Sequence, residues 1–152
     1  MVQTKEERNA YQKKYRKTVA YKASQKKYNA KYAIALNSGA SGLHAAMHAI
    51  DLKPGDEVIT SPFSVLWDAA IAIIMGAKVK FADTKYGTHN IDPKSIEENI
   101  TKKTKAIIPV HFAGKSCNMS AMKKLAKKNN LEIIEDCAHA LGTKFNKIHV
   151  GN

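Results

Sequence analysis

From residue 31 onward, short apolar runs alternate with amphipathic segments, and few folds tolerate that alternation. Residues 33–36, 57–60, 78–83, 105–110 and 131–136 read as strands. Between them lie segments of helical character. The first follows the turn at Gly39. The second opens at Ser61-Pro62, with proline in the first turn, and is ended by Gly76. The third opens at Asp92-Pro93 and the fourth covers residues 119–129. Strands joined through helices run parallel, because a parallel connection needs a crossover of a dozen or more residues, and a parallel sheet is covered on both faces. The expected fold class is α/β, a three-layer αβα arrangement on a mostly parallel sheet. Ligands of such sheets bind outside the carboxyl ends of the strands, here residues 37–41, 61–65, 111–114 and 136–139 with Asp83.

The first unit is the most informative locally. An apolar run ends in Asn37, Ser38, Gly39, Ala40, Ser41 and Gly42, and Leu43, Ala46, Met47 and Ile50 then follow at i, i+3, i+4 and i+7. The first N–H groups of a helix have no partner within it and carry the positive end of its dipole. A turn of small residues lets a phosphate approach them. Two sharper motifs are excluded: Gly39-x-x-Gly42 lacks the three-glycine dinucleotide pattern, and Ala45 between His44 and His48 removes the base of a zinc-protease motif. Gly114-Lys115-Ser116 imitates the end of a P-loop, but Pro109 stands where its first glycine belongs.

Of the formal net charge of +12, the first 32 residues carry +8, ten basic residues against Glu6 and Glu7. Gln12-Lys13-Lys14-Tyr15 returns as Gln25-Lys26-Lys27-Tyr28, and aliphatic residues are scarce. Residues 1–30 therefore read as a basic, Lys/Tyr-rich arm, helical or disordered, ahead of a domain over residues 31–152. Basic residues interleaved with aromatics suit weak nucleic-acid binding through residues 1–32. The longest apolar run, residues 69–77, is too short to span a bilayer, so no membrane partner is expected. The charged N-terminus is unlike a secretory signal, and the expected location is the cytoplasm. Two cysteines, Cys117 and Cys137, make no disulfide framework.

Five motifs then occur in order: Lys31-Tyr32-Ala33-Ile34-Ala35-Leu36-Asn37-Ser38-Gly39, Pro54-Gly55-Asp56-Glu57-Val58-Ile59-Thr60, Asn90-Ile91-Asp92-Pro93, Thr104-Lys105-Ala106-Ile107-Ile108-Pro109-Val110-His111 and Ile134-Glu135-Asp136-Cys137-Ala138-His139-Ala140. Over residues 31–152 the chain resembles the pyridoxal-phosphate-dependent nucleotide-sugar aminotransferases of the DegT/StrS type. The resemblance implies part of the large domain of a type I pyridoxal-phosphate transferase, normally a homodimer. The complete enzyme moves an amino group from an amino-acid donor to a keto-sugar nucleotide. It also implies that Gly39, Ala40 and Ser41 hold the cofactor phosphate, Asp136 faces the pyridine nitrogen, and His139 lies by the ring hydroxyl. An ionised aspartate favours a protonated ring nitrogen, which makes the ring an electron sink.

Three positions depart from the family. Ala40 replaces a threonine, Val65 stands where an aromatic stacks on the ring, and the resemblance runs out at residue 152 before the Schiff-base lysine. Neither Trp67 nor Lys115 is an obvious substitute. The expectation is a fragment with no catalytic residue of its own, binding pyridoxal 5'-phosphate weakly and non-covalently. Cut at residue 152, it is expected to show an open sheet edge and to self-associate. The alternative is a non-catalytic nucleic-acid-binding or scaffold protein acting through the arm.

Overall fold

The computed structural model describes residues 33–151, and the helix or disorder expected of the basic arm, residues 1–30, lies outside them. The chain divides into two units, Met1–Ala35 with Asn152, and Leu36–Gly151, and the elements below all belong to the second. In order they are α1 (Gly39–Ala49), β1 (Glu57–Thr60), α2 (Trp67–Ile74), β2 (Lys78–Phe81), α3 (Pro93–Asn99), β3 (Thr104–Ile108), a 3₁₀ turn (Phe112–Gly114), α4 (Met119–Asn129), β4 (Glu132–Ile133), β5 (Lys144–Phe145) and β6 (Ile148–His149). Four strands form one parallel sheet in the order β2-β1-β3-β4. The order reverses between β1 and β3, so the crevice outside their carboxyl ends is where this fold offers a binding site.

The strand period of two divides the core between the faces of the sheet. Val58 and Ile108 pack on one side with Met47 of α1 and with Ile71 and Ala72 of α2. Ile59 and Ile107 pack on the other with Ile96 of α3 and with Met122 and Leu125 of α4. Two helices thus cover each face, giving the three αβα layers. Both central strands are buried along nearly their whole length because both of their faces are covered.

Local signals act where the chemistry allows. Asp92 caps α3, accepting from the Lys94 N–H at 3.0 Å with Pro93 in the first helical position. Gly76 ends α2 at φ +84°, and a Cβ there would meet Cβ, Cγ and Cα of Pro54 at 3.0–3.2 Å. Gly76→Ala combines a left-handed backbone with that collision, and we expect a loss of about 2 kcal/mol or more, read as a lower urea midpoint at unchanged slope.

Three expectations need correction. Residues 33–36 are not in a strand: a parallel strand exists only through a neighbour's hydrogen bonds, and no described strand pairs with them. Helix α2 starts at Trp67, not at Ser61-Pro62, because the Ser61 hydroxyl accepts from the Phe63 N–H at 3.0 Å and turns the chain before a helix can begin. The strand expected over residues 131–136 pairs only at Glu132–Ile133, with one further bridge from Asp136 to Val110. Beyond it lies a hairpin the sequence reading did not foresee, β5 and β6 joined by Asn146 and Lys147 at φ +49° and +68°.

Candidate functional site

Helix α1 presents its N-terminus at one end of the site. Ser38 is its N-cap, with its hydroxyl 3.2 Å from the Ser41 N–H and 3.0 Å from the Ser41 hydroxyl. The cap takes the Ser41 N–H, and Gly42 N–H bonds to the Ser38 carbonyl, which leaves the Gly39 and Ala40 amides for a ligand. Sequence reasoning counted Ser41 as the one hydroxyl available beside Ala40. The structure sets Ser38 next to it, a pairing that follows from the N-cap geometry. Ala40 and Leu43 pack against the core cluster that holds Ile108, with Ile134 alongside, so the helix is seated on the face that includes β3.

Asp136 is fixed by its backbone. Its N–H donates to the Pro109 carbonyl at 3.0 Å and its carbonyl accepts from the His111 N–H at 3.1 Å, which continues the β3–β4 pairing one step past Ile133. One carboxylate oxygen accepts from the Ala138 N–H at 2.8 Å. This turn holds the side chain at the carboxyl edge and brings the exposed His139 round after it. The His139 ring lies 5.6 Å from Phe112, which meets Phe63 at 4.7 Å and His89 at 5.7 Å. Val65 is half exposed in the loop before α2. The aromatic surface at this edge comes instead from Phe63 and Phe112, two residues away from Val65 and just after β3 respectively.

The residue that sequence reasoning missed is Asp68. It is 1% exposed, yet Oδ1 has no hydrogen-bond donor, while Oδ2 accepts from the Ser64 hydroxyl. Burial, together with the charge of neighbouring Asp136, pushes the Asp68 carboxyl up to about 6. Asp68 lines a cavity of about 230 Å³ with Thr60, Ser61, Ser64, Val65 and Phe81. A visible signal existed: Asp68 is the one charged residue in the otherwise apolar helix Trp67–Ile74. A first-turn acid reads as ordinary helix chemistry, which hid it.

Beside this edge, His111, Glu135 and Cys137 place one ligand atom each within 4.8 Å of one another, a spacing a metal could bridge. The hydrogen bonds commit the ring otherwise. Nδ1 of the fully buried His111 accepts from the Cys117 N–H at 3.0 Å, which leaves the proton on Nε2, and Nε2 donates to Glu135 at 3.0 Å. A metal on Nε2 would force the proton onto Nδ1, against the Cys117 N–H. Burial alone would raise the Glu135 carboxyl, but hydrogen bonds from His111 and the Gly151 N–H outweigh it and hold the pKa low. Burial pushes the Cys117 and Cys137 thiols up to about 12, so neither is a thiolate at neutral pH. The cluster is a fastener joining the ends of β3 and β4.

Lys115 stands apart from this edge. It lines a larger cavity, about 670 Å³, with Lys85, Lys94, Lys124 and Lys128, and none of the residues just described borders it except Cys117.

The model of the DegT/DnrJ/EryC1/StrS aminotransferase family matches residues 2–152, a span that includes the basic arm. The spore coat polysaccharide biosynthesis protein SpsC of Bacillus subtilis is 43% identical over 123 residues, covering 81% of this chain and 32% of that protein. The aminotransferase of Psychrobacter cryohalolentis superposes with a TM-score of 0.83 at 39% identity, over 86% of this chain and 33% of that one. PseC of Helicobacter pylori, an aminotransferase involved in pseudoaminic acid biosynthesis, gives 0.80 at 33% identity over 86% and 35%. The chain thus spans about a third of the length of the relatives it matches.

Proposed function

The chain belongs to the DegT/DnrJ/EryC1/StrS aminotransferase family, and from that premise we propose that it carries the phosphate and ring-nitrogen parts of a pyridoxal-phosphate site in a sugar aminotransferase. The observation that carries the reading is Asp136, locked by two backbone hydrogen bonds at the carboxyl edge of the sheet, with an unpartnered buried carboxylate oxygen of Asp68 close by. An acid edge of this kind demands a cationic partner.

The fit extends to the other groups. Gly39 and Ala40 supply amides and Ser38 and Ser41 hydroxyls for the phosphate, Asp136 takes the ring nitrogen, and His139 with Phe112 borders the ring. Val65 offers an apolar contact where stacking would be stronger. When bound, the cofactor supplies electron withdrawal through its protonated ring nitrogen. The chain's part is to anchor the phosphate, hold that proton and narrow the access of water from the Phe63 and Phe112 side.

The substrate class that goes with this reading is a keto-sugar nucleotide with an amino-acid donor, acting in the cytoplasm. The partner is a second copy of the chain. Trp67 and Ile74, seven residues apart on one face of α2, are exposed together with Leu66 and Ile73 and offer an apolar surface for it. No helix among the described residues is long and apolar enough to cross a membrane. Nucleic-acid binding through residues 1–32 rests on their positive charge and interleaved tyrosines alone.

Among the described residues no lysine lines the Asp68 cavity, and Lys115 borders the larger one. These 152 residues should therefore hold the cofactor reversibly and turn nothing over by themselves. Borohydride reduction of the chain with pyridoxal phosphate, followed by peptide mass mapping, tests this. We expect saturable binding by absorbance but no stoichiometric reduced adduct. A single adduct on one lysine, with turnover of a keto-sugar nucleotide, would overturn it.

A further inference from the structure

We propose that the lysine-lined cavity between α3 and α4 binds a nucleoside diphosphate, with its two phosphates on the ammonium groups and its base on the apolar wall. This holds whether or not the acid edge takes pyridoxal phosphate.

Lys85, Lys94, Lys115, Lys124 and Lys128 surround a space of about 670 Å³, and Asp92 and Glu97 are the acids that border it. Glu97 is already engaged, paired with Lys128 at 2.8 Å across the two helices, and one Asp92 oxygen caps α3 through the Lys94 N–H. Among the described residues the other four lysines form no ion pair. Four ammonium groups round one cavity repel one another. A ligand with several negative charges relieves that repulsion, and a singly charged one meets only part of it. Helix α4, eleven residues long, adds the positive end of its dipole at Asn118 and Ala121, which both border the cavity.

The backbone that carries these lysines is held in place. Buried Asn90 joins two of the loops: its main-chain carbonyl accepts from the Lys85 N–H at 2.8 Å, and its side-chain amide donates to the Lys115 carbonyl at 2.9 Å. Its Oδ1 takes the Phe112 N–H at 3.1 Å, so the Asn90 side chain is fully used in the bracing. Thr88 closes the first loop, donating to the Lys85 carbonyl from its N–H at 3.1 Å and from its hydroxyl at 2.9 Å. Lys124 and Lys128 lie one turn apart on one face of α4. The wall between these cations is apolar, made by Ile91, Leu125 and the half-buried ring of Phe145 from β5. A cationic rim over an aromatic wall fits a molecule with a phosphate chain and a planar body. The volume falls within the roughly 300–1,000 Å³ of small-molecule sites.

The full ¹⁵N-labelled chain is titrated with inorganic pyrophosphate and with ADP, each at low and high salt. We expect saturable shifts at the amides of Lys85, Lys115 and Asn118, weaker at high salt, with ADP binding roughly tenfold tighter than pyrophosphate because its base covers the apolar wall. ADP no tighter than pyrophosphate would overturn the nucleoside body. Shifts that saturate only at Gly39 to Ser41 and Asp136, or that spread over the surface lysines without saturating, would overturn the site, and this mapping needs only the wild type. The double variant Lys85→Ala/Lys115→Ala should then bind ADP roughly tenfold more weakly. Lys102→Ala, an exposed lysine outside the cavity, should bind it as the wild type does. Equal losses in the two variants would reduce the effect to net charge and overturn the proposal. None of these outcomes bears on the cofactor reading, because no pyridoxal phosphate is present.

Discussion

Asp68→Asn is expected to stabilise the chain by up to about 3 kcal/mol at pH 8 and to change it little below pH 4. Folding raises the Asp68 carboxyl from an ordinary 3.8 to about 6, chiefly by burial and then by the neighbouring charge of Asp136. The folded state therefore binds more protons than the unfolded one between those values, so the folded state loses stability as pH rises through that window. Above it the cost is complete, and a shift of about two units is worth about 3 kcal/mol. Asparagine fills the same space, keeps an oxygen for Ser64 and can donate to Asp136, so it removes the buried charge without leaving a cavity. Urea unfolding at pH 8, 6 and 4 reads the difference as a rise in midpoint that fades with acid. A variant less stable than wild type by the same amount at all three values would show that Asp68 is held for packing and not as an ionised group.

Asp136→Ala should weaken pyridoxal phosphate binding about 10- to 100-fold while leaving competition by inorganic phosphate nearly unchanged. The range follows from one charge-assisted hydrogen bond of about 1.5–3 kcal/mol. The substitution also removes the bond from the Ala138 N–H, but the Asp136 backbone remains tied to Pro109 and His111, so the edge of the sheet keeps its course. In the proposed site phosphate would meet the chain at Gly39, Ala40, Ser38 and Ser41, which Asp136 does not hold. An absorbance titration with and without phosphate separates the two ends. Unchanged affinity for the cofactor would place its nitrogen elsewhere.

What could be read in the sequence was what rests on local chemistry. Asp92 before Pro93, Gly76 after an apolar helix, and the buried runs of β1 and β3 each have one favourable outcome, and the fold took it. Motif order put a helix start at the Gly39 turn and Asp136 just past the last parallel strand, and both stand there. The errors arose where a second partner decides. Residues 33–36 have the composition of a strand but no described strand to pair with. Ser61-Pro62 has the form of a helix start, yet the serine hydroxyl bonds to the Phe63 N–H. Lys147 at positive φ gives no turn signal in sequence, so the β5–β6 hairpin was invisible. Asp68 was missed for a related reason: nothing in Trp67–Ile74 reveals that an acid 68 positions along, Asp136, raises its pKa. That influence comes through the sheet, which sets β1 and β3 side by side.

Titration of the ¹⁵N-labelled full chain with pyridoxal phosphate decides whether the phosphate turn and the acid edge act as one site. Saturable shifts should appear together at the amides of Gly39, Ala40 and Ser41 and at those of Asp136, Ala138 and His139, with a single dissociation constant. Shifts confined to the lysine-lined cavity around Lys115, or scattered over surface lysines with no saturation, would contradict the assignment of this edge as a cofactor site.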